Sequence, residues 1–514
     1  MIKSRKKKAS LNIFTSSILE LVTLINGLIL PRLIITTYGS SYNGITSSCQ
    51  QFLSLIAILT AGVTASTRVA LYRSLADNDI YTTSRIIRAT DQYMRKVGCV
   101  LAGYIIMLAF FYPLVVKTGY SFREVSSLVL IVGMSSFAEY FFGVTYRTLL
   151  ASDQCIYISN IFTMIATLLN LVLSVILIRL GYSIQIVKLG SAVVYVLKPV
   201  LQSIYVKKRY CLDRHCTPDM SALKNRRAAM MHAIANMVHN NTDLVVLTLF
   251  TDVKTVSVYT IYNMVLGALS KIQSIFTIGI EPIFGNMWVK GERDAIKKNL
   301  SVFEFFISFF VSVAFSVTYL MILPFVALYT KNVNDVNYIR PVYVDVIVLA
   351  FVFFAFRAPY IALVQGVGHY RQTRFAAIWE AIINLVLSVL LVILIPIQEY
   401  KMVGIAIGTL AANLFRTVQY AVYVDDNVIP RGKYVFLSKI GWTLLNMIII
   451  ILPIHFILNR ISIDSWGTWF ISSAGISLFS IMATLLSAAV FFRNDLKYGY
   501  QLFLSITKKF LREK

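Results

Sequence analysis

The sequence predicts an all-α polytopic membrane protein with 14 transmembrane helices, built as two parallel six-helix lobes followed by a terminal helix pair. Composition, the placement of charge and an internal repeat support this prediction. The 514 residues are 57% hydrophobic and 14% charged, with mean hydropathy +0.71, whereas about a quarter of a soluble protein is charged. Apolar segments such as LAGYIIMLAFFYPLVV and LNMIIIILPIHFILN are of the length that crosses a ~30 Å hydrocarbon core as a helix.

The net charge of +24 follows the predicted topology. Lys and Arg cluster in every second connection, for example at residues 3–8, 207–227 and 493–514, and are sparse in the intervening turns. This is the positive-inside pattern, and it predicts that both termini are cytoplasmic. The basic start MIKSRKKKAS precedes an apolar stretch that is longer than that of a secretory signal, so we expect an uncleaved first span. We therefore expect membrane lipids, and no nucleic acid, as partners.

A repeat divides the chain. The hexapeptide NLVLSV occurs at 170–175 and again at 384–389, and at the same spacing LIITTYGSSYNGITSS (33–48) lies over LTLFTDVKTVSVYTIY (247–262). Each copy holds six spans, and an even number gives both copies the same orientation, as in a parallel repeat. We predict an N-lobe at 1–210 (helices 1–6), a C-lobe at 211–430 (helices 7–12), and helices 13–14 with a cytoplasmic tail at 431–514. Such lobes would flank a central cleft, which suits transport.

Five cysteines are scattered and indicate no disulfide framework. Cys211, His215 and Cys216 raise the alternative of a metal site, but the C-x4-C spacing is loose and no second pair follows. We expect reduced cysteines in a cytoplasmic loop, and no metal.

The first helix of each predicted lobe carries one polar stripe. On helix 7, His232, Asn236, His239 or Asn240, and Asp243 recur at helical spacing. On helix 1, the corresponding stripe is Ser16 or Ser17, Glu20, Thr23 and Gly27. The functional interpretation is a shared cavity wall in which Asp243 and Glu20 bind a coupling ion and His232 or His239 relays a proton. The alternative is polar packing of helices within a lobe.

Basic residues within or at the ends of spans are candidates for a cationic substrate-binding cavity, since charge inside a membrane usually faces a cavity or a partner. They are Arg32, Arg68, Arg147, Lys198, Lys271, Arg357 and Arg416. The first three lie near span ends, where snorkelling to the headgroups is the alternative. Arg357 and Lys271 are deeper, and Glu139, Glu281 and Glu380 are their candidate ion-pair partners, with a functional role as the alternative.

The sequence contains no P-loop, no dinucleotide fingerprint and no metalloprotease motif. We therefore expect no enzymatic activity and no cofactor, with Na⁺ or H⁺ as a coupling ion if one is used.

The stretch GLILPRLIITTYGSSYNGITSS (27–48), the basic N-terminus, the twin six-helix repeat and the terminal pair together resemble the polysaccharide-transporter (Wzx-type flippase) branch of the multidrug/oligosaccharidyl-lipid/polysaccharide (MOP) exporter superfamily. The resemblance implies a MOP/MATE-like fold in a bacterial cytoplasmic (inner or plasma) membrane. It also implies a flippase that moves a polyprenyl-diphosphate-linked oligosaccharide to the outer leaflet for surface polysaccharide assembly. The lipid-linked oligosaccharide and the polysaccharide polymerase machinery are the partners it suggests.

Three other functions stay open at this stage. An ion-coupled multidrug or small-molecule antiporter would need only 12 helices. A lipid II-type flippase is a close relative of the favoured class. An integral-membrane polymerase or glycosyltransferase is disfavoured by the short outer connections.

Overall fold

The computed structural model describes residues 2–213, 215–223, 241–432, 434–458 and 460–499. Those of the first repeat copy form α1 Ile2–Tyr38, α2 Ser40–Ser54, α3 Ala57–Ala76, α4 Ile80–Val115, α5 Phe122–Ala138, α6 Val144–Ser152, α7 Ile156–Arg179 and α8 Ile184–Arg209. The remainder form α9 Asn241–Phe250, α10 Val253–Val289, α11 Arg293–Tyr329, α12 Pro341–Phe356, α13 Ala358–Val367, α14 Tyr370–Leu394, α15 Lys401–Asn427, α16 Tyr434–Leu458 and α17 Trp466–Phe491. A π-helical turn, Glu139–Gly143, joins α5 to α6.

These helices make the chain a multi-pass membrane protein. Within the described ranges, 10 helices are long and apolar enough to cross a membrane, or 11 if the pair α2 and α3, bent by 46°, counts as one span. The helix α9 is apolar but shorter. The total of 14 spans stays a prediction.

Packing divides the chain into two compact units. Unit 1 comprises Met1–Thr260 with Asn332–Val336, and unit 2 comprises Ile261–Lys331 with Asn337–Lys514. The boundary passes through α10, because its first two turns pack in unit 1. Packing units and repeat copies are different divisions of the chain, so the lobe boundaries from the sequence stay a prediction.

Apolar clusters and a polar seam hold unit 1 together. A larger cluster joins α2, α4 and α5 around Leu53, Leu101 and Leu128. In the seam between α1 and α7, Lys8 pairs with Asp153 at 3.0 Å and Asn160 donates to Ser16 at 2.9 Å. Burial works against the charged form of Asp153, but hydrogen bonds from Tyr210 and Lys8 outweigh it, so the pKa of this carboxyl lies below its ordinary value.

In unit 2 the terminal helices α16 and α17 pack on α11. Leu320 and Met321 of α11 meet Ile450 and Ile454 of α16 and Ile476 of α17. Toward the other end of these helices, Arg431 pairs with Glu304 of α11 at 2.8 Å and Lys439 of α16 pairs with Asp495.

The repeat extends to individual hydrogen bonds. In the first copy, the amide of Asn170 donates to Tyr195 at 3.5 Å, and its oxygen accepts from Ser174 at 3.4 Å. In the second copy, the same bonds join the residues 214 positions further on, Asn384 with Thr409 at 3.3 Å and with Ser388 at 3.5 Å. Both asparagines are buried, so the hexapeptide recurs because it builds the same polar junction between consecutive helices.

The start of α10 packs against α2 within unit 1. Asn43 donates to Ser257 at 2.8 Å, and these two residues are separated by 214 positions, the spacing of the repeat. Equivalent positions of the two copies therefore touch each other here. Next to this contact, the backbones approach so closely that a Cβ on Gly44 would overlap the carbonyl oxygen of Val253.

The loop residue Asp335 completes this junction. The N-cap of α2 is Gly39, which has no side chain to cap the helix and a φ of +94°. The Asp335 carboxylate accepts instead from the Ser40 backbone at 2.8 Å and from the Ser40 hydroxyl at 2.6 Å, and a negative charge at a helix N-terminus is favourable. Lys254 of α10 donates to the Asp335 carbonyl at 3.0 Å. We call Ser40, Asn43, Gly44, Lys254, Ser257 and Asp335 the α2–α10 clasp.

The close approach at Gly44 predicts a specific cost. Gly44→Ala should lower the stability of the purified protein by about 1–3 kcal/mol, the usual penalty for overpacking. Gly103→Ala is the matched control, because nothing lies within 4 Å of a Cβ there and alanine favours a helix. Thermal unfolding in detergent measures both. Equal midpoints for the two variants would contradict the contact.

Candidate functional site

Unit 1 contains a polar cavity of about 260 Å³ between α1, α2, α5, α7 and α8. Its polar lining consists of Asn26, Asn43, Thr46, Ser47, Gln50, Ser135, Asn170, Lys188, Ser191 and Tyr195. In the described part of the chain, no acidic side chain lines it. The cavity adjoins the α2–α10 clasp through Asn43 and the repeated junction through Asn170.

Lys188 is the charged residue of this cavity, and the sequence analysis did not select it. It lies one turn after the start of α8, next to a turn that the charge pattern places outside. A lysine at such a position is not unusual, so its place in the sequence does not mark it as functional. Within the described ranges it makes no hydrogen bond or ion pair. A comparison across the repeat would have found it, since the equivalent position is Met402.

Lys198 lies two to three turns further along α8 and does have a partner. Its ammonium pairs with Glu139, in the π-helical turn, at 2.8 Å. The sequence suggested Glu139 as a partner for Arg357 or Lys271, whereas the structure pairs it with Lys198. The π turn places the Glu139 carboxylate beside Lys198 inside unit 1, where an unpaired charge is costly.

Arg357 and Arg416 share one carboxylate in unit 2. Glu380 accepts a hydrogen bond from Arg357 and lies 3.4 Å from Nε of Arg416. Arg416 also donates to the Thr373 carbonyl and the Tyr420 hydroxyl, at 3.1 Å and 2.8 Å. All three charged side chains are buried, so this cluster carries a net charge of +1 inside the unit.

The other predicted cations occupy less enclosed positions. Arg68 and Arg147 are exposed on α3 and α6, and Arg32 is half-buried on α1. Lys271 is exposed on α10, and Glu281 lies on the same helix. The structure does not bring the seven cations together at one place, and their role in binding substrate stays a prediction.

The residues proposed for ion coupling are also separated. Asp243 lies on α9 and accepts a hydrogen bond from Tyr259 at 3.4 Å. Glu20 lies half-buried on α1, where the neighbouring Ser16 of the same stripe takes part in packing against α7. His232 and His239 lie outside the described residues. In the described ranges, no three His, Cys, Asp or Glu side chains are placed to hold a metal ion.

Comparison with solved structures identifies the fold. The structure of lipid II flippase MurJ in an inward closed conformation matches with a TM-score of 0.69 and 13% identity, covering 94% of this chain and 98% of that chain. An inward-facing multidrug resistance MATE family transporter of the MOP superfamily matches with a TM-score of 0.62 and 15% identity, covering 79% and 95%. An outward-facing structure of a transporter of that description matches at 0.52, with 15% identity, covering 82% and 96%.

The chain thus shares its fold with the lipid II flippase and the MATE transporter structures. No family model and no curated protein matches the sequence. The similarity to these structures is one of fold.

Removal of the shared carboxylate in unit 2 should be costly. Glu380→Gln leaves two buried guanidinium groups without a counter-charge, and we expect a loss of about 3–5 kcal/mol in the free energy of unfolding. The matched control is Glu399→Gln, because Glu399 is mostly exposed and pairs with Arg340 at 3.2 Å, an arrangement worth at most about 1 kcal/mol. Denaturant unfolding in detergent measures both, and a similar loss in the two variants would refute the structural role of Glu380.

Proposed function

We propose that this protein is a flippase that moves a polyprenyl-diphosphate-linked oligosaccharide from the cytoplasmic to the outer leaflet, for surface polysaccharide assembly. The observation that carries the proposal is the extent of the fold match. The lipid II flippase covers 94% of this chain, whereas the MATE transporter covers 79%. The flippase covers the larger share of this chain, which fits our prediction of a terminal helix pair in addition to twelve helices.

The physical problem of flipping suits such a protein. Each sugar hydroxyl that enters hydrocarbon without a hydrogen-bond partner costs roughly 1–3 kcal/mol, and the diphosphate costs far more. A water-filled path through the protein removes this cost for the head of the lipid. Lys and Arg side chains along it would bind the diphosphate, Arg through bidentate hydrogen bonds. We keep the seven predicted cations as candidates for this role.

The terminal helices supply a place for the lipid tail. A groove of about 470 Å³ between α16 and α17 is lined by Ser438, Gly441, Trp442, Leu445, Phe491 and Phe492. Its lining is largely apolar, as a polyprenyl chain requires. The faces of α17 away from α11 carry exposed apolar side chains, including Ile471 and Leu486, which suits contact with membrane lipid.

Alternating access requires a junction that can open, and the α2–α10 clasp has the right composition. It contains polar contacts and one backbone approach, and its Asp335 comes from a loop. Asp243 and Glu20 stay our candidates for Na⁺ or H⁺ coupling, and the membrane potential contributes ~2.3 kcal/mol per charge per 100 mV.

Two other activities have an observation in their favour. The match to a MATE transporter, at a TM-score of 0.62, favours an ion-coupled multidrug or small-molecule antiporter. The match to MurJ favours a lipid II-type flippase, which differs from our proposal in the sugar carried.

A reconstituted assay distinguishes these functions. Proteoliposomes carrying a fluorescent undecaprenyl-diphosphate oligosaccharide should expose the head on the opposite leaflet, and lipid II and a cationic dye serve as the two rival substrates. Lys271→Gln should slow flipping about tenfold, the effect of losing ~1.4 kcal/mol of binding. Lys271 is exposed on α10, so its replacement by Gln removes no buried charge.

The matched control is Lys297→Gln, an exposed lysine of α11. Its flipping rate should equal that of the wild type. Dye transport without flipping of either lipid would overturn the proposed function. Flipping of lipid II alone would assign the protein to the rival flippase class.

A further inference from the structure

The cavity of unit 1 holds a cation that the fold does not require. Lys188 lines it and, within the described ranges, has neither an ion pair nor a hydrogen bond. Every other cation described above as enclosed in its unit, Lys198, Arg357 and Arg416, has a carboxylate within 3.4 Å. Lys188 is half-buried, and a partly enclosed ammonium group is stabilised by a counter-charge.

The second repeat copy shows what the fold alone would place here. The shared junctions fix the register, since Asn170 and Asn384 make the same hydrogen bonds. In this register the position of Lys188 is occupied by Met402, which is 1% exposed, and that of Ser191 by Ile405, which is 0% exposed. The first copy therefore carries polar groups at positions that apolar side chains fill in the second.

The same difference extends to the wall formed by α2. Ser47 and Gln50 line the cavity, and the positions 214 residues further on are Ile261 and Met264. Four positions around one cavity thus change together from apolar to polar. These four positions concentrate polar groups, one of them charged, on the α2 and α8 walls of the cavity.

The lining also specifies what the ligand presents. Lys188 and the hydroxyls of Ser47 and Tyr195 offer donors, which suits the oxygens of an anion. The buried Oδ1 of Asn26 accepts no hydrogen bond in the described part of the chain, so it can receive one from a hydroxyl of the ligand. We propose that this cavity binds a phosphate or diphosphate group, with Lys188 as its counter-charge.

The volume limits the ligand to a small group. Pockets for drug-sized molecules measure about 300–1,000 Å³, and 260 Å³ accommodates a phosphate or diphosphate but not an oligosaccharide. Such a group reaches the cavity as a free ion or as the diphosphate of a polyprenyl lipid. The second source rests on the proposed function, whereas the site itself does not.

Equilibrium binding of inorganic pyrophosphate and of farnesyl diphosphate to the purified protein tests the site. Lys188→Met should weaken the binding of these probes at least about tenfold, as expected for the loss of one charge-assisted hydrogen bond. Lys188→Arg should retain most of the affinity. Met402 at the equivalent position shows that the fold accommodates methionine there, and thermal midpoints check that both variants are folded.

A second readout places the anion in the cavity. Ser191→Cys should be protected by pyrophosphate from a small neutral thiol reagent, and this protection should disappear when Lys188→Met is added. Labelling is quantified at position 191 by mass spectrometry, which separates it from the native cysteines.

The outcomes decide whether the anion site exists and whether its ligand is a lipid head or a free anion. Tighter binding of farnesyl diphosphate assigns the site to a lipid head, and equal binding of the two probes assigns it to a free anion. Wild-type affinity in Lys188→Met, or no binding of either probe by the wild type, overturns the proposal. Flipping is scored separately, so a protein that binds pyrophosphate through Lys188 but flips no lipid would refute the proposed function and keep the site.

Discussion

The contact of α2 with the first turns of α10 is the constraint on which unit 1 depends. Asn43 and Ser257 are equivalent residues of the two repeat copies, and they hydrogen-bond to each other. The 214 positions that separate them are the spacing of the sequence repeat. Gly44 allows the two backbones to approach there, and Asp335 caps α2 from a distant loop. The cavity beside this contact is shaped by the same helices.

Charge is the second organising constraint, since a membrane protein cannot leave an enclosed ion unpaired without cost. Glu139 neutralises Lys198, and Glu380 lies between Arg357 and Arg416. These acids pair with the cations inside each unit. Those cations are therefore already engaged by a carboxylate of the protein. Lys188, which has no such partner in the described ranges, is therefore the cation best placed to take an anion from outside the chain.

The sequence predicted the features that depend on composition and periodicity. Apolar length gave the membrane class, and the hexapeptide gave a repeat that holds down to the hydrogen bonds of Asn170 and Asn384. It also indicated Glu380 as an ion-pair partner of Arg357. Contacts across long separations, such as that of Ser40 with Asp335, leave no local pattern. Lys188 was missed because a lysine one turn inside a helix is ordinary, and only its replacement by Met402 in the second copy makes it unusual.

The central claim is that the α2–α10 clasp must open for the protein to work. A disulfide across it, formed in the double variant Asn43→Cys and Ser257→Cys, tests this directly, because the native side chains are already in hydrogen-bond contact. Flipping is measured before oxidation, after oxidation and after reduction. The account predicts that the disulfide stops flipping and that reduction restores it. Full flipping with the disulfide intact would contradict it.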